Sequence, residues 1–268
     1  MITVETYADI NQASAALGAD SIYLGGGTLV MRALNYGEQN FSRIVRSTDP
    51  SLTQITMQGD RIQIGAAVTM ASILAHPDLA FLAPVARQVG GPAVRNMASV
   101  GGNLFAEHPY GDLAVALLVL DGRVHLADGQ EQDLEVFLAQ RKGFNGIVAS
   151  VSIARPNRPE DFRWLKISRT KPKGVSVMSI AAWLPAMAGR LQNPRIALGA
   201  MADTPMRAKA VEQTLEGATM DTAGIQNALT AIASQFNPPD DALASSWYRQ
   251  QVAPIHLRRL LLNEGAGS

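Results

Sequence analysis

Two glycine clusters hold the residues of this chain best suited to binding a phosphate. Gly25-Gly26-Gly27-Thr28 closes the apolar run SIYL, and Ser99-Val100-Gly101-Gly102-Asn103 follows the helical stretch VRNMA. Glycine has no Cβ, so an anion can approach the backbone closely, and a left-handed φ at a position such as Gly102 carries no steric penalty. Successive N–H groups then turn toward one oxygen, and Thr28 adds a hydroxyl donor. Taken alone, the first cluster reads equally well as a turn between strands. Two nests together can converge on the two phosphates of a dinucleotide. Asp112, isolated after the second cluster, can accept from ribose hydroxyls or cap the apolar helix that follows, and the two roles are compatible.

Other chemistries are poorly provided for. Neither G-x-x-x-x-G-K-[ST] nor G-x-G-x-x-G is matched, so the P-loop and Rossmann fingerprints are absent. There is no G-x-S-x-G elbow. The chain has no cysteine, which removes disulfides, thiolate nucleophiles and Cys-ligated zinc or iron–sulfur centres. His76, His108, His125 and His256 share no metal-ligand spacing; His108, between Asn103 and Asp112, reads as a pocket-rim side chain. With 23 basic and 23 acidic residues the formal charge is zero, which leaves no basic field for a nucleic acid and favours association as a subunit. The start MITVETYADINQ lacks a signal-peptide pattern, and no apolar run is long enough to span a membrane, so the expected compartment is the cytoplasm.

The elements that must position these residues follow from periodicity. ADINQASAAL has helical spacing behind a capping Asp9, and SIYL reads as a strand entering the first cluster. LTQITMQGDRIQIGAAV alternates on both sides of Gly59-Asp60, the pattern of a hairpin. Thr69 opens a helix, and FLAPVARQV forms another that ends at Gly90-Gly91. LAVALLVLD is apolar on every face and therefore buried, while RVHLA and GIVASVSIA read as strands. ARPNRPEDF, rich in proline and poor in apolar residues, marks a boundary. Beyond it, FRWLKISRT, VSVMSIAAWLPA and RIALGAMA predict three strands, and RAKAVEQTLEG, TAGIQNALTAIASQF and ASSWYRQQVAPIHLRRLLLNE predict helices. Trp164, Trp183, Met178, Met187 and Met201 read as core. The expectation is an α+β domain over 1–158 and a smaller α+β domain over 159–268, with an antiparallel sheet and packed helices.

GGGT, VRNMASVGGNL and the following GD resemble the flavin-binding subunit or middle domain of the xanthine dehydrogenase and carbon monoxide dehydrogenase class of molybdenum hydroxylases. The resemblance implies an FAD-binding domain of the PCMH (vanillyl-alcohol oxidase-like) type followed by a CO dehydrogenase flavoprotein-like C-terminal domain. It also implies that Gly25, Gly26, Gly27, Thr28, Leu29 and Val30, with Ser99, Gly101, Gly102 and Asn103, wrap the FAD pyrophosphate. Asp112 falls on the family's ribose-binding aspartate. Lys166 of FRWLKISR falls on a lysine near the isoalloxazine ring, and Val148 at the head of the GIVASVSIA strand completes the cofactor-binding set. No residue is implied to be catalytic and no metal is bound. IALGAMADTPMRAKAVEQTLEG and the final helix extend the resemblance over essentially the whole chain. Two departures stand out: Leu29 and Val30 replace polar residues after Thr28, and TKPKGVSVMS replaces a more acidic, aromatic segment after the lysine strand.

The implied function is FAD-dependent electron transfer within an oxidoreductase complex. The implied partners are a molybdopterin-binding large subunit and a [2Fe–2S] small subunit, with NAD, oxygen or a quinone as the external acceptor. A non-redox scaffold with weak FAD binding and a stand-alone flavoenzyme are the alternatives. With no cysteine available, the FAD is expected to be non-covalent, about one per chain. Acid precipitation is expected to release all flavin to the supernatant; flavin retained by the pellet contradicts non-covalent binding, and FMN in place of FAD contradicts the two-nest reading.

Overall fold

The computed structural model describes residues 2–38, 40–170 and 174–264. They form two compact units, one of residues 1–106 with 121–155 and the other of residues 107–120 with 156–268. Residues 107–120, which the sequence division at 158 puts in the first domain, thus group with the second unit.

The first unit opens with β1 (Thr3–Tyr7) and α1 (Ile10–Ala15). Asp9 caps α1 as its position predicts, accepting from the N–H groups of Asn11 and Gln12 at 2.8 and 3.0 Å. β2 (Ser21–Tyr23) leads into the first glycine cluster, α2 (Val30–Asn35) leaves it, and β3 (Arg43–Ser47) completes a parallel sheet of order β1-β3-β2. The hairpin of β4 (Ile55–Gln58) and β5 (Arg61–Gly65) pairs Gln58 with Arg61 across Gly59-Asp60. Thr69 caps α3 (Met70–Ala75) through the Ser72 N–H, and α4 (Ala83–Arg87) ends with Gln88 as its C-cap, ahead of Gly90 at φ of 60°. α5 (Pro92–Met97) and α6 (Val100–Leu104) carry the second glycine cluster. Next comes α7 (Asp112–Val119), which belongs to the second unit. The chain then returns through β6 (Arg123–Leu126), β7 (Glu131–Asp133), α8 (Leu134–Gln140) and β8 (Val148–Ala154). These strands extend the hairpin into an antiparallel sheet of order β4-β5-β8-β6-β7. Alternation buries Ile62, Ile64, Val124, Val151 and Ile153 on one face.

The second unit contains β9 (Phe162–Ile167), β10 (Met178–Trp183), the short pair β11 (Ala186–Met187) and β12 (Arg190–Leu191), β13 (Arg195–Gly199) and β14 (Met206–Arg207). Its main sheet is antiparallel in the order β14-β13-β10-β9. All eight residues of α7 are buried, as a helix apolar on every face requires, and it packs on β10 and β13. α9 (Lys209–Leu215), α10 (Gln226–Gln235) and α11 (Ser246–Leu261) join the same core through Val211, Ile232 and Leu257. Met178 and Met201 are core as expected, but Met187, on the two-residue β11, is 70% exposed.

One charged residue ties this unit together. The fully buried Arg249 of α11 donates to the carbonyls of Val177, Pro239 and Ala244 at 2.9, 2.6 and 2.8 Å, and to Asp241 Oδ2 at 2.8 Å. Burial pushes the Asp241 carboxyl up. Donation from the Ala244 N–H, His108, the Leu243 N–H and Arg249 outweighs burial and holds it at about 2, below the ordinary 3.8. A depressed carboxyl stabilises the fold above its ordinary value and loses that contribution as pH falls toward its folded value. The wild type is therefore expected to lose stability between about pH 4 and 2, and Asp241→Asn to lack this component of its acid profile. Arg249→Met is expected to cost about 3 kcal/mol in urea unfolding, because it leaves three carbonyls and a carboxylate short of a donor. An unchanged midpoint contradicts the clamp.

Candidate functional site

The structure brings the two glycine clusters into contact within the first unit. Ser99, the N-cap of α6 and only 3% exposed, accepts the Gly102 N–H and the Gly26 N–H, each at 3.2 Å, on one Oγ. A Cβ on Gly26 would lie 1.9 Å from the Met97 carbonyl oxygen, so the approach of the loops admits only glycine there. Gly27 supplies the left-handed turn, with φ of 72°. The α5–α6 corner is held by backbone bonds: Met70 N–H to the Ala98 carbonyl, Val100 N–H to Val68 and Gly101 N–H to Ala66, at 3.0, 2.9 and 2.8 Å. Gly101 is needed for packing, since a Cβ would meet that of Ala66 at 2.9 Å.

The groups left over define what the loops can bind. Among the described residues, the N–H groups of Gly25, Gly27, Thr28 and Leu29 donate to no protein acceptor, and neither does the Thr28 hydroxyl. Such a run of uncommitted donors is complementary to phosphate oxygens. The cluster relies on dipoles rather than cations, because Arg95 turns back to donate to the Gly90 and Arg87 carbonyls at 2.6 and 3.1 Å. Leu29 is the N-cap of α2 and makes no side-chain capping bond, so Leu29 and Val30 contribute backbone only. These residues fit the pyrophosphate of FAD.

Three further residues of the set are placed as follows. Gly102 is exposed, helical and without positive φ, because the Ser99 cap draws Gly101-Gly102-Asn103 into the first turns of α6. Asn103 is largely buried and its N–H bonds the Ser99 carbonyl at 2.9 Å. Val148 is 3% exposed in β8, opposite Leu126.

The charged residues gather in the second unit. Asp112 is the first residue of α7, and the cap is Gly111, with φ of 89°. Lys166 Nζ, from β9, lies 2.8 Å from Asp112 Oδ2, with both side chains 7% exposed. The hydroxyl of Ser176, 2% exposed, donates to Asp112 Oδ1 at 2.6 Å. The two residues that the sequence assigned to the ribose and the ring edge are thus one buried ion pair. Ser179 stands opposite Lys166 in the β9–β10 register, and its buried hydroxyl has no partner among the described residues. A Cβ on Gly199, its other cross-strand neighbour, would lie 2.5 Å from Ser179 Oγ and 2.7 Å from Val115 Cγ2; glycine there lets α7 reach the sheet. His108 pairs with Asp241 rather than with Asp112. Ser176 escaped the sequence analysis, since no local pattern links it to Asp112, 64 residues away. Lys171, Pro172 and Lys173 of the TKPKG segment lie outside the described residues.

Two family models match this chain. Residues 1–153 match the family model for the FAD binding domain in molybdopterin dehydrogenase, and residues 163–263 match that for the CO dehydrogenase flavoprotein C-terminal domain. The chain is 25% identical over 229 residues to the nicotine 6-hydroxylase medium subunit of Paenarthrobacter nicotinovorans, covering 81% of this chain and 80% of that one. It is 24% identical over 252 residues to the xanthine dehydrogenase FAD-binding subunit of Escherichia coli, covering 87% and 83%. A chain of the reconstituted CO dehydrogenase from Oligotropha carboxidovorans superposes with a TM-score of 0.87 at 21% identity, covering 100% of this chain and 99% of that one, which shows a shared fold.

Gly26→Ala drives a methyl into the Met97 carbonyl and forces the loops apart. FAD affinity is expected to fall at least about tenfold, on the order of 1.4 kcal/mol, in a fluorescence-quenching titration. Unchanged affinity in a folded variant removes the joined loops from the site.

Proposed function

The chain belongs to the FAD-binding family of molybdopterin dehydrogenases, and on that premise we propose that it is the electron-transferring flavin subunit of a molybdenum hydroxylase. Its relatives carry names such as medium chain and FAD-binding subunit, which supports a role inside a larger complex. We extend this to a molybdopterin-binding large subunit and a [2Fe–2S] small subunit as partners, with NAD as one candidate acceptor and the cytoplasm as the compartment. Among the described residues no helix is long and apolar enough to cross a membrane.

The observation that carries the reading is the pair of glycine loops clipped at Ser99, with four N–H groups and a threonine hydroxyl uncommitted. An intact cradle speaks against a scaffold that has lost FAD. Bound FAD supplies the redox chemistry, accepting electrons and passing them on. Gly25, Gly27, Thr28 and Leu29 would hold its pyrophosphate, while Ser99 and Gly26 keep those donors in place. Lys166 would place a cation at the edge of the ring, where negative charge gathers on reduction, with Asp112 holding the ammonium. No side chain is required as acid, base or nucleophile.

Affinity purification of this chain after co-expression with the molybdopterin and [2Fe–2S] chains is expected to recover a stoichiometric three-chain complex. The isolated chain is expected to oxidise neither purines nor aldehydes. An active dehydrogenase assembled by the other two chains, with this one purifying alone, contradicts the electron-transfer reading.

A further inference from the structure

Two methionines stand against the first glycine cluster, and both belong to the first unit. Met97 is the last residue of α5, and its carbonyl fills the space where a Cβ on Gly26 would stand. Met31 lies in the first turn of α2. Its N–H bonds the Gly27 carbonyl at 2.9 Å, and its Cγ lies 3.7 Å from the Cβ position of Gly27. Consecutive glycines of the loop are thus each bordered by a thioether residue. Met31 and Met97 are 46% and 57% exposed, whereas Met70, Met178 and Met201 are buried. Met57 and Met187, the other exposed methionines among the described residues, lie on β4 and β11.

A thioether in contact with water is open to two-electron oxidation. Its sulfur lone pair attacks one oxygen of hydrogen peroxide. The S–O bond forms as the O–O bond breaks, and the second oxygen leaves as water with both protons. The sulfoxide so formed is polar, and its oxygen accepts hydrogen bonds. Beside this loop it meets the donors that a phosphate needs, the uncommitted N–H groups of Gly25, Gly27, Thr28 and Leu29. An acceptor tethered at the loop competes for them at high effective concentration. Its partial negative charge also opposes an incoming anion. We propose that Met31 and Met97 are peroxide-sensitive modification sites whose conversion to sulfoxides closes the cradle to FAD. This rests on the reading that the loops hold the FAD pyrophosphate. Enzymatic reduction of the sulfoxides would reopen it.

The test uses the full chain, freed of flavin, as wild type, Met31→Leu/Met97→Leu and Met57→Leu/Met187→Leu. Each is titrated with FAD by fluorescence quenching before and after treatment with hydrogen peroxide. Mass spectrometry locates the oxidised methionines, and the far-UV spectrum is recorded alongside. Wild type and Met57→Leu/Met187→Leu are expected to lose at least about tenfold in affinity, the worth of one hydrogen bond to a charged group. Met31→Leu/Met97→Leu, which roughly conserves volume, is expected to keep its affinity through the same treatment. Methionine sulfoxide reductases are expected to restore the wild type. Unchanged affinity in wild type carrying sulfoxides at Met31 and Met97 overturns the proposal. So does an equal loss in Met31→Leu/Met97→Leu, a loss accompanied by a changed far-UV spectrum, or a Met31 and Met97 that stay reduced while Met57 and Met187 oxidise. The cradle is judged separately, on unoxidised protein: unchanged FAD affinity in folded Gly26→Ala removes the loops from the site, and this inference falls with them.

Discussion

A single hydroxyl oxygen organises the first unit. Ser99 Oγ accepts one N–H from each glycine cluster, and 73 residues separate Gly26 from Ser99. Several sequence features follow from that contact. Gly26 must lack a side chain because the Met97 carbonyl fills the space, and Gly27 must turn left-handed to release the next N–H groups outward. α6 starts where it does because Ser99 caps it, and Gly101 lets that start lie against Ala66. The donors that remain are backbone groups on a fixed corner, so little order has to be imposed when an anion arrives.

The second unit solves a different problem, that of keeping charges inside a core. Asp112 and Lys166 are satisfied by each other and by Ser176; Arg249 is satisfied by three carbonyls and Asp241. A buried pair stabilises a fold only when its remaining hydrogen-bonding capacity is met, and breaking one is costly. In each cluster a fixed backbone segment supplies the third partner. The segment around Val177 serves both, since it accepts from Arg249 and carries Ser176.

The legible parts of the fold were those with local causes. The hairpin at Gly59-Asp60, the Asp9 and Thr69 caps, the buried α7 and the strands β9, β10 and β13 all announce themselves through periodicity or a capping side chain. The parallel sheet of β1, β3 and β2 did not, because its strands are short and paired through segments distant in sequence. The candidate site divides in the same way. Its glycines, Asp112 and Lys166 were visible as types in a motif, and the family resemblance gave them roles. The Ser99 clip, the Asp112–Lys166 pairing and Ser176 are tertiary facts with no local signal. Spacing alone does not say which glycines turn left-handed: Gly27 of the first cluster does, whereas Gly101 and Gly102 of the second lie within α6. Met187 looked like core by type, but both residues of the two-residue strand that carries it are exposed.

The central claim is that Ser99 joins the two loops into one cradle for the FAD pyrophosphate. Calorimetric titration of FAD into wild type and Ser99→Ala tests it most directly. The account predicts one site in the wild type and, in Ser99→Ala, affinity at least about tenfold weaker, with the native far-UV spectrum retained and the cap loss costing about 1 kcal/mol of stability. Equal affinity in the two folded proteins would contradict it.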